Sequence, residues 1–376
     1  MSPSFDAASG LPLRPEARRA MEAALEHGWA DPTRLHRDGR VARQLLDAAR
    51  ASVAASVGAL PQEITFTASG TQSVHVGVLG LARGRRKVGA TVVASAVEHS
   101  AVLRAADWVM TGNDPVLAPV NSHGEVEVKA FRKAVKAPGV ALAAVQQVNH
   151  EVGALQPLDE VHEAAQQAGV PLLVDASAGL GSVPAPSRWD VLVGSAHKWG
   201  GPAGVGILAI RSGVRWRSPV PTDEAGRWAG FPNVPGVVAA ATALEHATAD
   251  LGRVSAHRAR LLTILRERVP EVAEDIIVLG TTPAAPHIVC FTILYADGEV
   301  LVTELDRAGF AVSSGSACTS DTRRPSHVLA AMGAVTHGNL RLSIPPDTTE
   351  ADIATFLAAL PGAIATARAA ADGDAP

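Results

Sequence analysis

Cys318 stands alone in Ser313-Ser314-Gly315-Ser316-Ala317-Cys318-Thr319-Ser320, a run of small residues that buries little apolar surface. Such a segment suits a thiol that must meet something large. The only other cysteine, Cys290, lies in the apolar run Ile288 to Ile293 and is expected in the core. A second reactive candidate is Lys198, in Ser195-Ala-His-Lys198-Trp-Gly-Gly-Pro. Burial and neighbouring cations lower an amine's pKa and make it a nucleophile toward carbonyls; an ordinary exposed turn is the other reading.

Asp175 closes the wholly apolar run Val170 to Val174. A carboxylate there is costly without a partner, and a pyridinium nitrogen is one suitable partner. Capping of the next helix is the alternative. With Lys198 one strand unit downstream, a pyridoxal phosphate pair becomes the better reading. Ser69-Gly70-Thr71-Gln72 joins a strand to a helix, where free backbone N–H groups and hydroxyls make a phosphate cup or a simple cap. His99 follows a strand and could stack on a ring or move a proton. His197 could donate to a phosphate. Arg341, in Asn-Leu-Arg-Leu-Ser-Ile, offers a planar fork to a substrate carboxylate or to an internal salt bridge. No His/Cys/Asp cluster has zinc spacing.

The elements that must position these residues alternate between strands and amphipathic helices, which predicts an α/β fold with a mostly parallel sheet. Strands are expected at Ile64 to Thr67, Thr91 to Val97, Ala141 to Val148, Val170 to Val174, Val191 to Val193 and Val205 to Ile210. The first five end in polar or ionisable residues, and in an open α/β sheet ligands sit beyond the carboxyl ends of strands, so these ends should converge. Past the Pro/Gly-rich connection Ser218 to Gly236 come a long helix (about Val237 to Val269), a strand from His287 to Leu294, a helix from about Gly298 to Ala308, a strand from Asn339 to Ile344 and a terminal helix from about Thr349. This half reads as a smaller α+β domain, and the Ala-rich tail from Ala363 to Pro376 is expected to fray.

At 376 residues the chain exceeds one ordinary core, and two domains are expected. The formal net charge of −4, without a long Lys/Arg tract, speaks against a nucleic-acid partner. Two cysteines and no leader-like N-terminus favour a reducing cytoplasm, and no uninterrupted apolar run approaches a membrane span, so no membrane partner is expected.

Over nearly its whole length the chain resembles the cysteine desulfurases of the fold-type I pyridoxal-phosphate superfamily, which also holds the class V aminotransferases. The resemblance rests on the Cys318 segment, Ser195-Ala-His-Lys198, Glu98-His-Ser-Ala-Val-Leu103 and Val148-Asn-His-Glu-Val-Gly153. It implies a seven-stranded, mostly parallel large domain over 15–235, and a small domain made of 1–14 and 236–376. It implies pyridoxal 5′-phosphate held by Lys198 as a Schiff base, Asp175 on the pyridine nitrogen and His99 on the ring. Gly70, Thr71, Ser195 and His197 would hold the phosphate, Asn149 and Arg341 the substrate carboxylate region. Cys318 would take sulfur from L-cysteine as a persulfide, leaving alanine, and pass it to an acceptor. A homodimer is also implied. Two departures stand out: Ala178 replaces a glutamine that relatives place three residues after the aspartate, and Asn233 falls near the place of a threonine that reaches the neighbouring subunit's phosphate. The alternatives are a selenocysteine lyase or another class V lyase or aminotransferase, and a catalytically impaired paralogue acting as a binding subunit.

Overall fold

The computed structural model describes residues 4–111, 114–222, 230–280, 284–314 and 325–373. Cys318 lies outside them.

Two helices, α1 (Pro15–His27) and α2 (Arg37–Val57), precede the sheet. Then follow β1 (Ile64–Thr67), α3 (Gly70–Gly84), β2 (Thr91–Ser95), α4 (Ser100–Met110), β3 (Val116–Ala118), α5 (Val128–Val135) and β4 (Val140–Gln146). The helix α6 (Leu158–Gln167) leads to β5 (Leu172–Asp175), β6 (Val191–Ser195) and β7 (Gly206–Ile210). Gly169, expected to stop α6, sits just past it at φ 66°, where a side chain would be strained.

These seven strands form one sheet in the order β1-β7-β6-β5-β4-β2-β3. Only β7 runs against its neighbours, so the sheet is mostly parallel, as expected. β4, β5 and β6 are buried at every position because helices cover both faces. The chain order reverses between β2 and β4, and the crevice beyond that reversal is where open α/β sheets bind ligands.

The second half begins with α7 (Val234–Ala249) and α8 (Leu251–Val272). The sequence read these as one helix. They break at Asp250, and α7 joins the core of the large sheet through Val237, Ala240, Leu244 and Ala247.

A three-stranded antiparallel sheet follows, from β8 (Ile276–Leu279), β9 (Ile288–Ile293) and β10 (Asn339–Ser343) in the order β10-β9-β8. The helices α9 (Gly298–Arg307) and α11 (Glu350–Gly373) complete it, whereas α10 (His327–Ala331) buries Val328 and Leu329 in the core of the large sheet. The core of the small sheet gathers Leu261, Phe291, Leu342 and Phe356 with Phe5 of the N-terminal segment, whose ring meets Phe310 and Phe356. Within the described residues the tail expected to fray from Ala363 stays helical to Gly373, because Ala363, Ile364 and Ala367 are buried in that core. By length and composition α11 could cross a membrane, but Ile353, Phe356 and Leu360 are committed to the small sheet.

Candidate active site

The ends of β1, β2, β4, β5 and β6 open on one cavity of about 240 Å³, so the expected convergence is observed. Its wall includes Gly70, Thr71, His99, Asp175, Ser195, His197, Lys198 and Arg341. Of the candidate residues among those described, only Asn149 is not on it.

At one end α3 points its N-terminus into the cavity. Ser69 caps the helix by accepting from Gln72 N at 3.1 Å, and Gln72 Oε1 in turn accepts from Ala68 N. A Cβ on Gly70 would lie 2.6 Å from Ser195 Cβ, so only glycine leaves this cradle open. Ser195 Oγ and His197 Nδ1 are 3.1 Å apart beside it. Burial, then the nearby Lys198 charge, lowers the His197 pKa. Backbone N–H groups, hydroxyls and an imidazole at a helix N-terminus suit a phosphate.

Lys198 sits in a single 3-10 turn, Ala196–Trp199. The turn is nailed down by Trp199, fully buried with its Nε1 donating to Ala240 O at 3.1 Å, and closed by Gly200 at φ 82°. Asp175 closes β5 and is nearly buried. One of its oxygens accepts from Ser177 N at 2.9 Å, so it caps a turn, not a helix, while still facing the cavity. His99 N-caps α4, its Nδ1 accepting from Ala101 N at 3.1 Å. Burial lowers its pKa, Asp175 opposes this and Lys198 adds to it. A neutral ring whose Nδ1 accepts must carry its proton on Nε2, so His99 presents a donor.

At the other end Arg341 arrives from β10. Its Nη1 donates to His150 O at 3.0 Å, and its Nη2 donates to Asp6 Oδ1 at 2.6 Å and Ser9 Oγ at 3.0 Å. Its Nε is buried without a partner. The internal salt bridge weighed for this residue is thus present, and Arg341 lines the cavity as well. Asn149 is fully buried: its Oδ1 accepts from Glu151 N and Val152 N, and its Nδ2 donates to Val97 O at 3.2 Å. It shapes the turn that carries His150 into the wall.

Several residues on or beside the wall were not singled out in the sequence. His150 packs edge-on to His99, with ring centres 5.2 Å apart. Gln146 follows the last apolar position of β4 and lines the cavity. Glu98 is fully buried, accepts from Gln146 N at 2.8 Å, and is pushed up to about 8 by burial. Asp6 and Ser9 reach the site only through the tertiary fold. The signal was present in the polar runs Glu98-His99 and Asn149-His150-Glu151, but sequence does not say which member of each run faces inward.

Ala178 also lines the cavity, and its carbonyl accepts from His287 Nε2 at 3.0 Å. Asn233 lies elsewhere: its Oδ1 accepts from Gly236 N and caps α7, on the rim of a separate groove. Cys290 is buried, its thiol pushed up to about 12 by burial, and is chemically quiet. Among the described residues no group of three or more His, Cys, Asp or Glu could hold a metal ion.

The donor set fits pyridoxal 5′-phosphate: a lysine and a carboxylate face the space between a glycine-lined helix N-terminus and an arginine. The Aminotransferase class-V family model matches residues 5–356. An "IscS-like cysteine desulfurase" of Mycobacterium tuberculosis is 36% identical, over 98% of this chain and 97% of its own. A "Cysteine desulfurase" of Cereibacter sphaeroides is 36% identical over 95% and 94%. Among solved structures, a "NifS-like protein" matches with a TM-score of 0.89 and 27% identity, over 97% of this chain and all of its own.

Proposed function

The chain belongs to the class-V aminotransferase family, among the cysteine desulfurases, and on that footing we propose that it removes sulfur from L-cysteine, leaves L-alanine, and passes the sulfur through Cys318 to an acceptor. The observation that carries this reading is the union, in one cavity, of Lys198, Asp175 and His99 from the large sheet with Arg341 from the small one.

Pyridoxal 5′-phosphate, when bound, supplies an electron sink for the pair left at the substrate's Cα. Lys198 would hold its carbonyl carbon, Gly70, Thr71, Ser195 and His197 its phosphate, and Asp175 its pyridine nitrogen. His99 would lie against the ring and offer Nε2–H. Arg341 binds the substrate carboxylate with the donors that His150, Asp6 and Ser9 leave unspent. Asn149 supports that end by fixing the turn of His150. Lys198 takes the Cα proton. The Cys318 thiolate attacks the substrate sulfur: the S–S bond forms, the C–S bond breaks, and Cβ keeps the pair and accepts a proton on the way to alanine. An acceptor thiolate then attacks the outer sulfur: a new S–S bond forms on the acceptor, the S–S bond to Cys318 breaks, and Cys318 leaves as a thiolate.

A homodimer belongs to this proposal. A groove of about 700 Å³ runs beside α2 and β1, with Phe231 exposed and Asn233 on its rim, and a second copy would cover it. A cytoplasmic location is likewise part of it.

The test is direct. Protein loaded with pyridoxal phosphate and given L-cysteine plus a thiol reductant should release sulfide and alanine in equal amounts. Cofactor uptake without alanine would contradict the reading.

A further inference from the structure

Glu151 takes no part in the chemistry above, yet it is almost fully buried and joins two parts of the site. Its Oε2 accepts from Ser326 Oγ at 2.6 Å, and its Oε1 lies 3.7 Å from His150 Nε2. Ser326 is the cap of α10, accepting from Leu329 N at 3.1 Å, and follows the segment that carries Cys318. Its hydroxyl proton is therefore committed to Glu151.

Donor and acceptor roles can be assigned along this chain. The Gln146 amide donates to Val97 O through Nε2, so its Oε1 only accepts. His150 Nδ1, 3.3 Å from that oxygen, must be the donor. Burial, then the charges of His99, Lys198, Arg341 and His327, holds His150 neutral. A neutral ring protonated on Nδ1 presents a bare Nε2, which lies 3.7 Å from Glu151 Oε1, longer than a hydrogen bond but within reach of a small side-chain shift. Two lone pairs would repel; a carboxyl O–H between them would not.

We propose that Glu151 works in its protonated form, accepting from Ser326 and closing the 3.7 Å gap to His150 as a donor, and so positions the cavity wall against the root of the Cys318 segment. This rests on the desulfurase reading. Glu151 is then a positioning residue, not a catalytic one. Burial raises its pKa to about 7, against the Ser326 bond and the Arg341 charge, which agrees with a proton held there. Arg341 on β10 and the Cys290 thiol on β9 are its other titratable neighbours.

The test compares three holoenzymes. Glu151→Gln has an N–H₂ for His150 and a carbonyl for Ser326, so it mimics the protonated acid. Glu151→Ala should keep the visible absorbance of the bound cofactor and lose about ten-fold in single-turnover sulfur transfer, the scale of one buried hydrogen bond. Glu151→Gln should recover that loss to within about two-fold, and its rate relative to wild type should climb as pH rises through 7, because only wild type loses its bridging proton. Imidazole ¹⁵N spectra of the unreacted enzyme should show His150 protonated on Nδ1 and bare on Nε2 in both wild type and Glu151→Gln. A Glu151→Gln variant as slow as Glu151→Ala, a pH-independent ratio, or a His150 proton on Nε2 would each overturn the bridge. If Glu151→Ala fails to fold, the ratio and the spectra still decide. A wild type that binds cofactor but makes no alanine would instead remove the desulfurase reading, and the spectra would stand apart from it.

Discussion

Asp6 Oδ1 accepts from Arg341 Nη2 at 2.6 Å, so the arginine proposed to bind the substrate carboxylate is already oriented by the fold. Three of its N–H donors are spent on His150 O, Asp6 and Ser9. The N-terminal segment that supplies Asp6 is itself held by Phe5 in the core of the small domain.

Asp6→Ala should therefore act on substrate binding and stability together. Removing a partner from a buried cation costs on the order of 2 kcal/mol once the partial exposure of Asp6 is allowed for. KM for L-cysteine should rise about ten-fold with a smaller change in kcat, the signature of lost binding. Asp6→Asn, which keeps an acceptor, should lose less. Steady-state kinetics with thermal melting of both variants checks this, and an unchanged KM in Asp6→Ala would remove the orienting role.

Gly70→Ala tests the phosphate cradle. The added methyl would meet Ser195 Cβ at 2.6 Å and Oγ at 2.9 Å. Overpacking of this kind costs about 1–3 kcal/mol, and here it narrows the space meant for the phosphate. Titration of apoprotein with pyridoxal phosphate should show weakening of roughly ten-fold or more.

Lys198→Ala should abolish the visible absorbance of the lysine-bound cofactor and all alanine formation. Pyridoxal phosphate should still bind reversibly through Gly70, Thr71 and Asp175, as equilibrium dialysis would show. Retained visible absorbance would place the covalent attachment on another residue.

Glu98 makes a pH prediction. Its folded pKa is raised to about 8, from an ordinary carboxylate value of 4.5, by burial first. Between those values the folded state holds the extra proton, so stability falls as pH rises through this window and levels off above it. The limiting slope is about 1.4 kcal/mol per pH unit. Glu98→Gln should flatten the dependence of denaturant midpoints between pH 5 and 8; an unchanged slope would assign it to other groups.

Much of this site was legible because its residues end apolar strands. Asp175 after Val170 to Val174, and Lys198 after Val191 to Val193, are polar groups where burial demands a reason. The mostly parallel sheet followed from the same alternation of strand and helix. Less legible was anything decided by packing between distant segments. Asp6 meets Arg341 across 335 residues, and no local pattern pairs them. His150 and Glu151 stood in a polar run whose inward face is chosen by the Asn149 turn, not by spacing. The break at Asp250 was invisible because α7 and α8 are both continuous helix formers; α7 turns to cover α1 and α2 while α8 serves the small sheet. The end of α11 was misread because alanine frays as a free helix end but packs well against a core.

The central claim is that sulfur leaves L-cysteine in the cavity of Lys198 and arrives on Cys318. The most direct measurement gives the holoenzyme one equivalent of L-cysteine carrying isotopically labelled sulfur, without reductant, and follows the Cys318 peptide by mass spectrometry. The account predicts one labelled sulfur atom on Cys318, matched by one alanine, with Cys290 unchanged and no gain in Cys318→Ser. Alanine formed at the wild-type rate by Cys318→Ser, or label found on Cys290 instead, would contradict it.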